Sequence, residues 1–282
     1  MASLEQMQKG EITEHFIYRS LAERAKGSNR KILAGIAGDE LRHYKVLASI
    51  TKKGFAPERM KVRWYVFLAR AFGLAFALKL MESGEEGAQE SYAKLAKNHP
   101  ALKKIINDEE EHEKKLIDLL SEERLEYASS IVLGLNDALV ELTGALAGLT
   151  LAFQDGKFIA ASGLILGFAA ALSMAASSYL SAREEKGGKN PGKSAFYTGA
   201  TYLMTVILLI TPYFLFSDVY LSLGAMMATA LLIICIYTFY ITTAKSQRFL
   251  PRFAEMAAIS LAVAAISFGM GHAARMLFGL GA

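Results

Sequence analysis

The chain has 282 residues, a net charge of +4 and one cysteine, and 53% of its residues are hydrophobic. A single cysteine excludes an internal disulfide framework and a cysteine metal cluster, and the absence of a basic, aromatic cluster argues against a nucleic-acid partner. Residues 1–126 hold 22 Lys/Arg and 20 Asp/Glu, whereas residues 127–282 hold only 9 and 7. This split predicts a soluble domain over residues 1–126 and a membrane domain over residues 127–282.

The soluble half predicts four helices, because apolar residues recur at helical spacing between Gly- or Pro-containing breaks. The predicted helices cover residues 3–26, 29–52, 60–97 and 100–123. The third contains a nearly apolar stretch, Val62 to Leu80. We expect this stretch to belong to one long helix, part of which packs on a partner subunit. The alternatives are a core segment, a membrane-surface helix or a sixth membrane span.

Carboxylates and histidines lie on the stripes of these helices that should face the core. Each of two Glu-x-x-Glu pairs is followed by a Glu-x-x-His pair, in the order Glu11 and Glu14, Glu40 and His43, Glu82 and Glu85, Glu109 and His112. Residues three apart lie on one helix face, so each Glu-x-x-His presents a carboxylate and an imidazole to the same ion. One copy is common on solvated helices, but a doubled pattern rarely arises by chance.

This pattern predicts a dinuclear metal centre that holds iron, with manganese as the alternative. Glu14 or Glu82 could instead lie outside the immediate ligands or serve a third ion. Residues 1–126 resemble a short rubrerythrin or ferritin-like domain. The single cysteine leaves no Cys-rich rubredoxin part of the kind rubrerythrins carry, which argues against peroxidase chemistry.

Five apolar stretches follow, each long enough to cross about 30 Å of hydrocarbon as a helix. They cover residues 128–153, 158–182, 195–216, 219–242 and 253–280. Seven of the nine positive charges in this half lie in two loops, one between spans two and three and one between spans four and five. The positive-inside rule places both loops in the cytosol. The polar N-terminus also has no apolar signal segment. We therefore expect an integral protein of a prokaryotic plasma membrane, with a cytosolic N-terminal domain and an external C-terminus.

The predicted fold class is thus all-α, a ferritin-like four-helix bundle followed by a five-helix transmembrane bundle. Asp137 and Glu141 lie on one face of the first span, and burying each carboxylate costs on the order of 2–3 kcal/mol. This cost favours a cation and proton pathway over a hydrogen-bonded pair that only holds helices together. Met174 in span two offers a soft thioether, although a lone Met more often packs. The Gly-x-x-x-Gly pairs of both spans predict close helix packing, within the subunit or at a dimer seam.

The runs Leu135 to Gly144 and Leu172 to Ser181 resemble two motifs of the vacuolar iron transporter family, Asn-Asp-Gly-Leu-Val-Glu-Leu-Thr-Gly and Ser-Met-Ala-x-Gly-Glu-Tyr-x-Ser. The resemblance implies a homodimer that exchanges Fe²⁺ for protons. It implies that Asp137 and Met174 lie in the pathway, with Glu141 a weaker candidate.

The chain departs from this family at Ala138, where the family has Gly, and at Ser177-Ser178, where it has Gly-Glu. The metal-binding insert between spans two and three is also absent, so the N-terminal domain would be the cytosolic metal receptor, as in membrane-bound ferritins. We predict a transporter that moves Fe²⁺ out of the cytosol in exchange for protons. The alternatives are a membrane-anchored ferroxidase or peroxide-reducing di-iron enzyme, and a Mn²⁺ transporter of the same architecture.

Overall fold

The computed structural model describes residues 3–81, 102–119, 127–185, 189–245 and 247–279. Every regular element within these ranges is an α-helix. Contacts group the chain into two compact units, residues 1–122 and residues 123–282, apart from the joint 243–246. The predicted all-α fold is confirmed, with ferritin-like helices first and five long apolar helices after them.

The described helices of the N-terminal unit pack around a buried apolar core. They are α1 (Leu4–Ala22), α2 (Gly27–Thr51), α3 (Arg59–Phe72), α4 (residues 74–81) and α5 (Leu102–Leu119). Ser3 caps α1, because its hydroxyl accepts the Gln6 amide at 3.2 Å while the Gln6 side chain accepts the Ser3 amide at 2.9 Å. Near this end, Leu47 of α2 and Leu102 of α5 are fully buried in one cluster. These contacts bring α1, α2 and α5 together around their polar stripes.

The third predicted helix is interrupted. α3 ends at Phe72, and α4 begins after Gly73, whose φ of 99° and ψ of 159° suit glycine and strain other residues. The expectation of one continuous helix over residues 60–97 is therefore wrong at residue 73. Its last part, residues 82–97, lies outside the described residues.

The second unit contains the five apolar helices, and each is long and apolar enough to cross a membrane. They are α6 (Ala128–Phe153), α7 (Gly156–Glu184), α8 (Pro191–Leu215), α9 (Val219–Ala244) and α10 (Phe249–Phe278). The protein is an integral membrane protein. Within the described residues no sixth helix meets these criteria, and α3, with 14 residues, is too short to span.

Glycines let these helices approach closely within one subunit. A Cβ on Gly148 of α6 would lie 2.9 Å from the backbone oxygen of Ser267, and one on Gly271 of α10 would overlap the backbone of Gly148. On α7, Gly167 faces Val206 of α8, where an added Cβ would lie 2.6 Å from a methyl group. These glycines therefore serve packing inside the subunit, one of the two roles that the sequence left open.

Candidate metal centre

Four of the predicted ligands converge in the N-terminal unit. They are Glu11 of α1, Glu40 and His43 of α2, and Glu109 of α5, each with one ligand atom within 4.8 Å of the others. The Nδ1 atom of His43 lies 3.3 Å from Glu11 Oε2 and 3.5 Å from Glu40 Oε2. It also lies 3.2 Å from Glu109 Oε1. Three helices thus point oxygen and nitrogen atoms at one buried place.

His112 of α5 extends this group on the other side. Its Nδ1 atom lies 3.3 Å from Glu40 Oε1 and 3.5 Å from Glu109 Oε2. The two imidazole rings have centroids 5.9 Å apart. Glu40 and Glu109 therefore lie between the histidines, each with one oxygen towards either ring. Carboxylates that bridge two ions in ferritin-like bundles require such an arrangement.

Two aspartates that the sequence reasoning missed hold the outer edges of both imidazoles. His112 Nε2 lies 3.0 Å from Asp39 Oδ2, and His43 Nε2 lies 3.2 Å from Asp108 Oδ2. The pairing is crossed, because each aspartate directly precedes the glutamate of the opposite motif. Arg42 links the two, at 2.6 Å from Asp39 and 3.4 Å from Asp108. The sequence does contain a signal for these aspartates, because both motifs read Asp-Glu-x-x-His. The prediction used only the Glu-x-x-His part of each motif.

The crossed pairs determine the ring orientation of each histidine and which of its nitrogen atoms faces the carboxylates. An Nε2–H that donates to an aspartate leaves the Nδ1 lone pair directed inwards, towards carboxylate oxygens. Both Nδ1 atoms and Glu40 Oε2 are buried without a hydrogen-bond partner among the described residues. Buried acceptors facing one another are costly unless a proton or a cation lies between them. The residues present therefore fit a metal centre with oxygen and nitrogen ligands.

Protons compete for the same atoms. Burial and the charge of Glu40 raise the pKa of Glu11 well above its ordinary value. Burial and the charge of Glu11 raise the pKa of Glu14 to about 8. Burial opposes the charged form of His112, but the neighbouring carboxylates of Glu109 and Glu40 outweigh it and raise the pKa to about 10. Groups with raised pKa values hold protons near neutral pH, so a bound ion displaces protons.

Of the remaining predicted ligands, Glu14 is the one within the described residues. Glu14 is half-buried on α1, three residues from Glu11, and is not one of the four converging side chains. Glu82 and Glu85 lie outside the described residues, so the second Glu-x-x-Glu pair stays a prediction.

The predicted pathway residues lie on α6 and α7. Asp137 is half-buried, and Glu141 accepts a hydrogen bond of 2.8 Å from the Tyr202 hydroxyl of α8. Met174 is half-buried and packs against the apolar core of the membrane unit. Their part in translocation stays a prediction.

Ser178 lies where the resembled motif has a glutamate, and it belongs to a cluster of four buried hydroxyls. Its Oγ is 2.9 Å from Ser194 Oγ, which is 2.8 Å from Ser130 Oγ. Thr198 donates to Ser178 at 2.9 Å. The cluster joins α6, α7 and α8, and each hydroxyl has a partner within it. A polar helix contact thus occupies the place of the missing carboxylate.

Two family models match the chain. The rubrerythrin model matches residues 3–120, and the VIT family model matches residues 128–188. In chain order, a match to rubrerythrin is followed by a match to the VIT family. This confirms the predicted combination and its order, and the two families indicate di-iron binding and metal-ion transport. The VIT-family match contains Asp137, Glu141 and Met174. No curated protein matches the chain.

Proposed function

We propose that this protein moves Fe²⁺ out of the cytosol in exchange for protons, with residues 1–126 as the cytosolic receptor and residues 127–282 as the transporter. The observation that carries the proposal is the buried glutamate and histidine group of Glu11, Glu40, His43 and Glu109 in a chain with five membrane-spanning helices. Such a group binds divalent ions selectively over the monovalent ions of the cytosol, because several carboxylates converge on one point.

Proton exchange follows from the chemistry of carboxylates inside a membrane. Asp137 and Glu141 lie one turn apart on α6, in a segment where charge is expensive. A carboxylate there is least costly when it holds either a proton or a cation. An ion that binds must displace protons, and protons return when it leaves. Alternating occupancy by cations and protons is the exchange that we propose.

Transport is tested in proteoliposomes under anaerobic conditions, with Fe²⁺ outside, a chelating dye inside and a pH-sensitive dye to follow protons. We expect Asp137→Asn to slow uptake at least about tenfold, because it removes a carboxylate from the first span. The matched control is Glu255→Gln, which changes an exposed carboxylate at one end of α10. Uptake by Asp137→Asn at the parent rate would show that the pathway is wrongly placed.

Capture is separated from translocation by varying the ion concentration. Glu40→Gln removes the charge of a buried carboxylate in the N-terminal group and replaces one of its oxygens with an amide nitrogen, whereas Glu111→Gln changes an exposed carboxylate on the same helix as Glu109. We expect Glu40→Gln to slow uptake at low Fe²⁺ and to leave the rate at saturating Fe²⁺ unchanged. Equal slowing at all concentrations would argue against a receptor role.

A second candidate function is oxidation of Fe²⁺ by the N-terminal unit, with the spans as an anchor. It is favoured by the position of Glu40 and Glu109 between both imidazoles, the geometry of a dinuclear centre. Oxygen consumption on addition of Fe²⁺ distinguishes the two. A stable ferric product without uptake supports the enzyme, and uptake without oxygen consumption supports the transporter. Metal analysis with anomalous scattering at the iron and manganese edges identifies the ion.

A further inference from the structure

One helix of the N-terminal unit carries an exposed apolar stripe. On α3, Met60 is 77% exposed, Trp64 52% and Phe67 55%. Steps of four and three residues place them in one line along the helix. The Trp64 and Phe67 rings stack with centroids 5.8 Å apart. Large apolar side chains in a continuous exposed line mark an interaction surface rather than scattered surface residues.

The opposite face of α3 is anchored in the bundle. Leu68 is buried, and Val62, Tyr65 and Val66 pack against the core cluster of α1 and α2. The helix is therefore already docked on its own unit through one side. The exposed stripe is a second, separate face, and the metal centre uses none of its residues.

A row of arginines runs beside the stripe. Arg59, Arg63 and Arg70 are exposed and recur at intervals of four and seven, which places them in a line about 80–100° round the helix from the apolar one. α3 contains no acidic residue, and Glu58 at its start pairs with Lys9 at 2.5 Å. Among the described residues, none of the three arginines forms an ion pair.

We propose that this face of α3 binds the anionic leaflet of the membrane in which the protein is embedded. An amphipathic helix with aromatic residues on one side and cations beside them lies at the lipid interface, rings among the acyl chains and cations at the headgroups. The cytosolic identity of that leaflet rests on the proposed topology. The proposed contact between α3 and lipid does not depend on that topology, because either leaflet can supply anionic headgroups.

Two further observations favour lipid over a second copy of the chain. A copy packed antiparallel on the same stripe would bring both arginine rows to one side of the contact, where they repel. In contrast, the spans keep the N-terminal unit close to a membrane at high effective concentration. The contact needs little affinity of its own under those conditions. The proposal thus favours the membrane-surface alternative for this stretch, and packing on a partner subunit stays an untested prediction.

Trp64 makes the test direct, since it is the only tryptophan of the chain. The full-length protein is placed in nanodiscs of phosphatidylcholine, with or without phosphatidylglycerol, that contain lipids brominated near the headgroup end of the acyl chain. We expect bromine to quench Trp64 in anionic discs and a water-soluble quencher to lose access. The double variant Arg63→Glu with Arg70→Glu should shift the equilibrium towards the undocked state by about fivefold for each cation lost. Added salt should act in the same direction.

The matched control is Arg30→Glu with Lys31→Glu, two exposed cations on α2, which should leave quenching unchanged. Retained metal binding shows that each variant is folded. Trp64 that stays open to the aqueous quencher in anionic discs, with no bromine quenching, overturns the proposal. Protection that appears only when two copies share a disc, again without bromine quenching, assigns the stripe to a second copy and also overturns it. Neither readout depends on transport, so both stand if the transport proposal fails.

Discussion

The crossed aspartate and histidine pairs give the sharpest quantitative expectation for the metal centre. Replacing Asp39 or Asp108 with Asn keeps the shape of the acceptor and removes its charge. Each aspartate receives an imidazole N–H at 3.0 to 3.2 Å and is about one-fifth exposed, with its side chain 21% accessible. Hydrogen bonds of this kind to ligating histidines are worth about 10- to 100-fold in metal affinity when fully sheltered. Partial exposure reduces the effect.

We therefore expect Asp39→Asn and Asp108→Asn each to weaken binding by about tenfold, near the low end of that range. The double variant should approach about a hundredfold if the pairs act independently. If the double variant loses more or less metal affinity than the product of the two single losses, the difference measures the coupling between the pairs through Arg42, which contacts both aspartates.

The assay is competition between the full-length protein in detergent and a chelating dye for Fe²⁺ or Mn²⁺, without oxygen. Glu110→Gln and Glu111→Gln are controls, since both residues are exposed carboxylates on α5 close to Asp108. The controls correct for general loss of negative charge near the centre. Single aspartate variants that bind within about twofold of the parent, or no more weakly than the controls, would refute the idea that these aspartates orient the ligands.

Three further expectations concern packing and pH. Gly271→Val places a side chain on the backbone of Gly148 and should destabilise the membrane unit by about 1–3 kcal/mol or more, seen as a lower melting temperature in detergent; an unchanged melt would argue against this close approach. Gly73→Ala should lower the free energy of unfolding of the N-terminal unit by about 1–3 kcal/mol, because alanine is strained at a φ of 99°. Denaturant unfolding followed by tryptophan fluorescence measures this change, and a stabilised variant would contradict the observed helix break. The raised pKa values, about 8 for Glu14 against 4.5 and about 10 for His112 against 6.5, mean that the metal-free native state holds more protons than the unfolded chain. Its stability should therefore fall as pH rises from about 5 to about 10, and saturating Mn²⁺ should reduce that slope, whereas stability that rises over this range would refute the assigned shifts.

The parts of the centre that lie on one helix were accessible from the sequence. Glu40 and His43 are three residues apart, so helical geometry alone places them on one face. Asp39 is different, because it lies about 100° round the helix from Glu40 and reaches a histidine of α5. Which neighbour it meets depends on how α2 and α5 cross. That is a tertiary property that spacing along the chain does not contain.

The five spans were predictable for a related reason. A bilayer imposes a minimum length of apolar helix, so composition determines where the helices run. The break at Gly73 was not predictable in this way. An isolated glycine is tolerated within a helix, and only the packing of α3 and α4 selects the backbone conformation that ends the helix there.

The crossed pairs also make ion occupancy part of the structural integrity of the N-terminal unit. Each of α2 and α5 supplies ligands from its own motif and the support for the histidine of the other. A ligand that binds only the native state adds about 2.7 kcal/mol to the free energy of unfolding when its free concentration is about a hundred times its dissociation constant. This is a large share of the stability of a typical domain. An unliganded chain opens more often, and proteases cut opened segments. The lifetime of the protein would then follow the free concentration of the ion that its N-terminal unit binds, without a separate regulator.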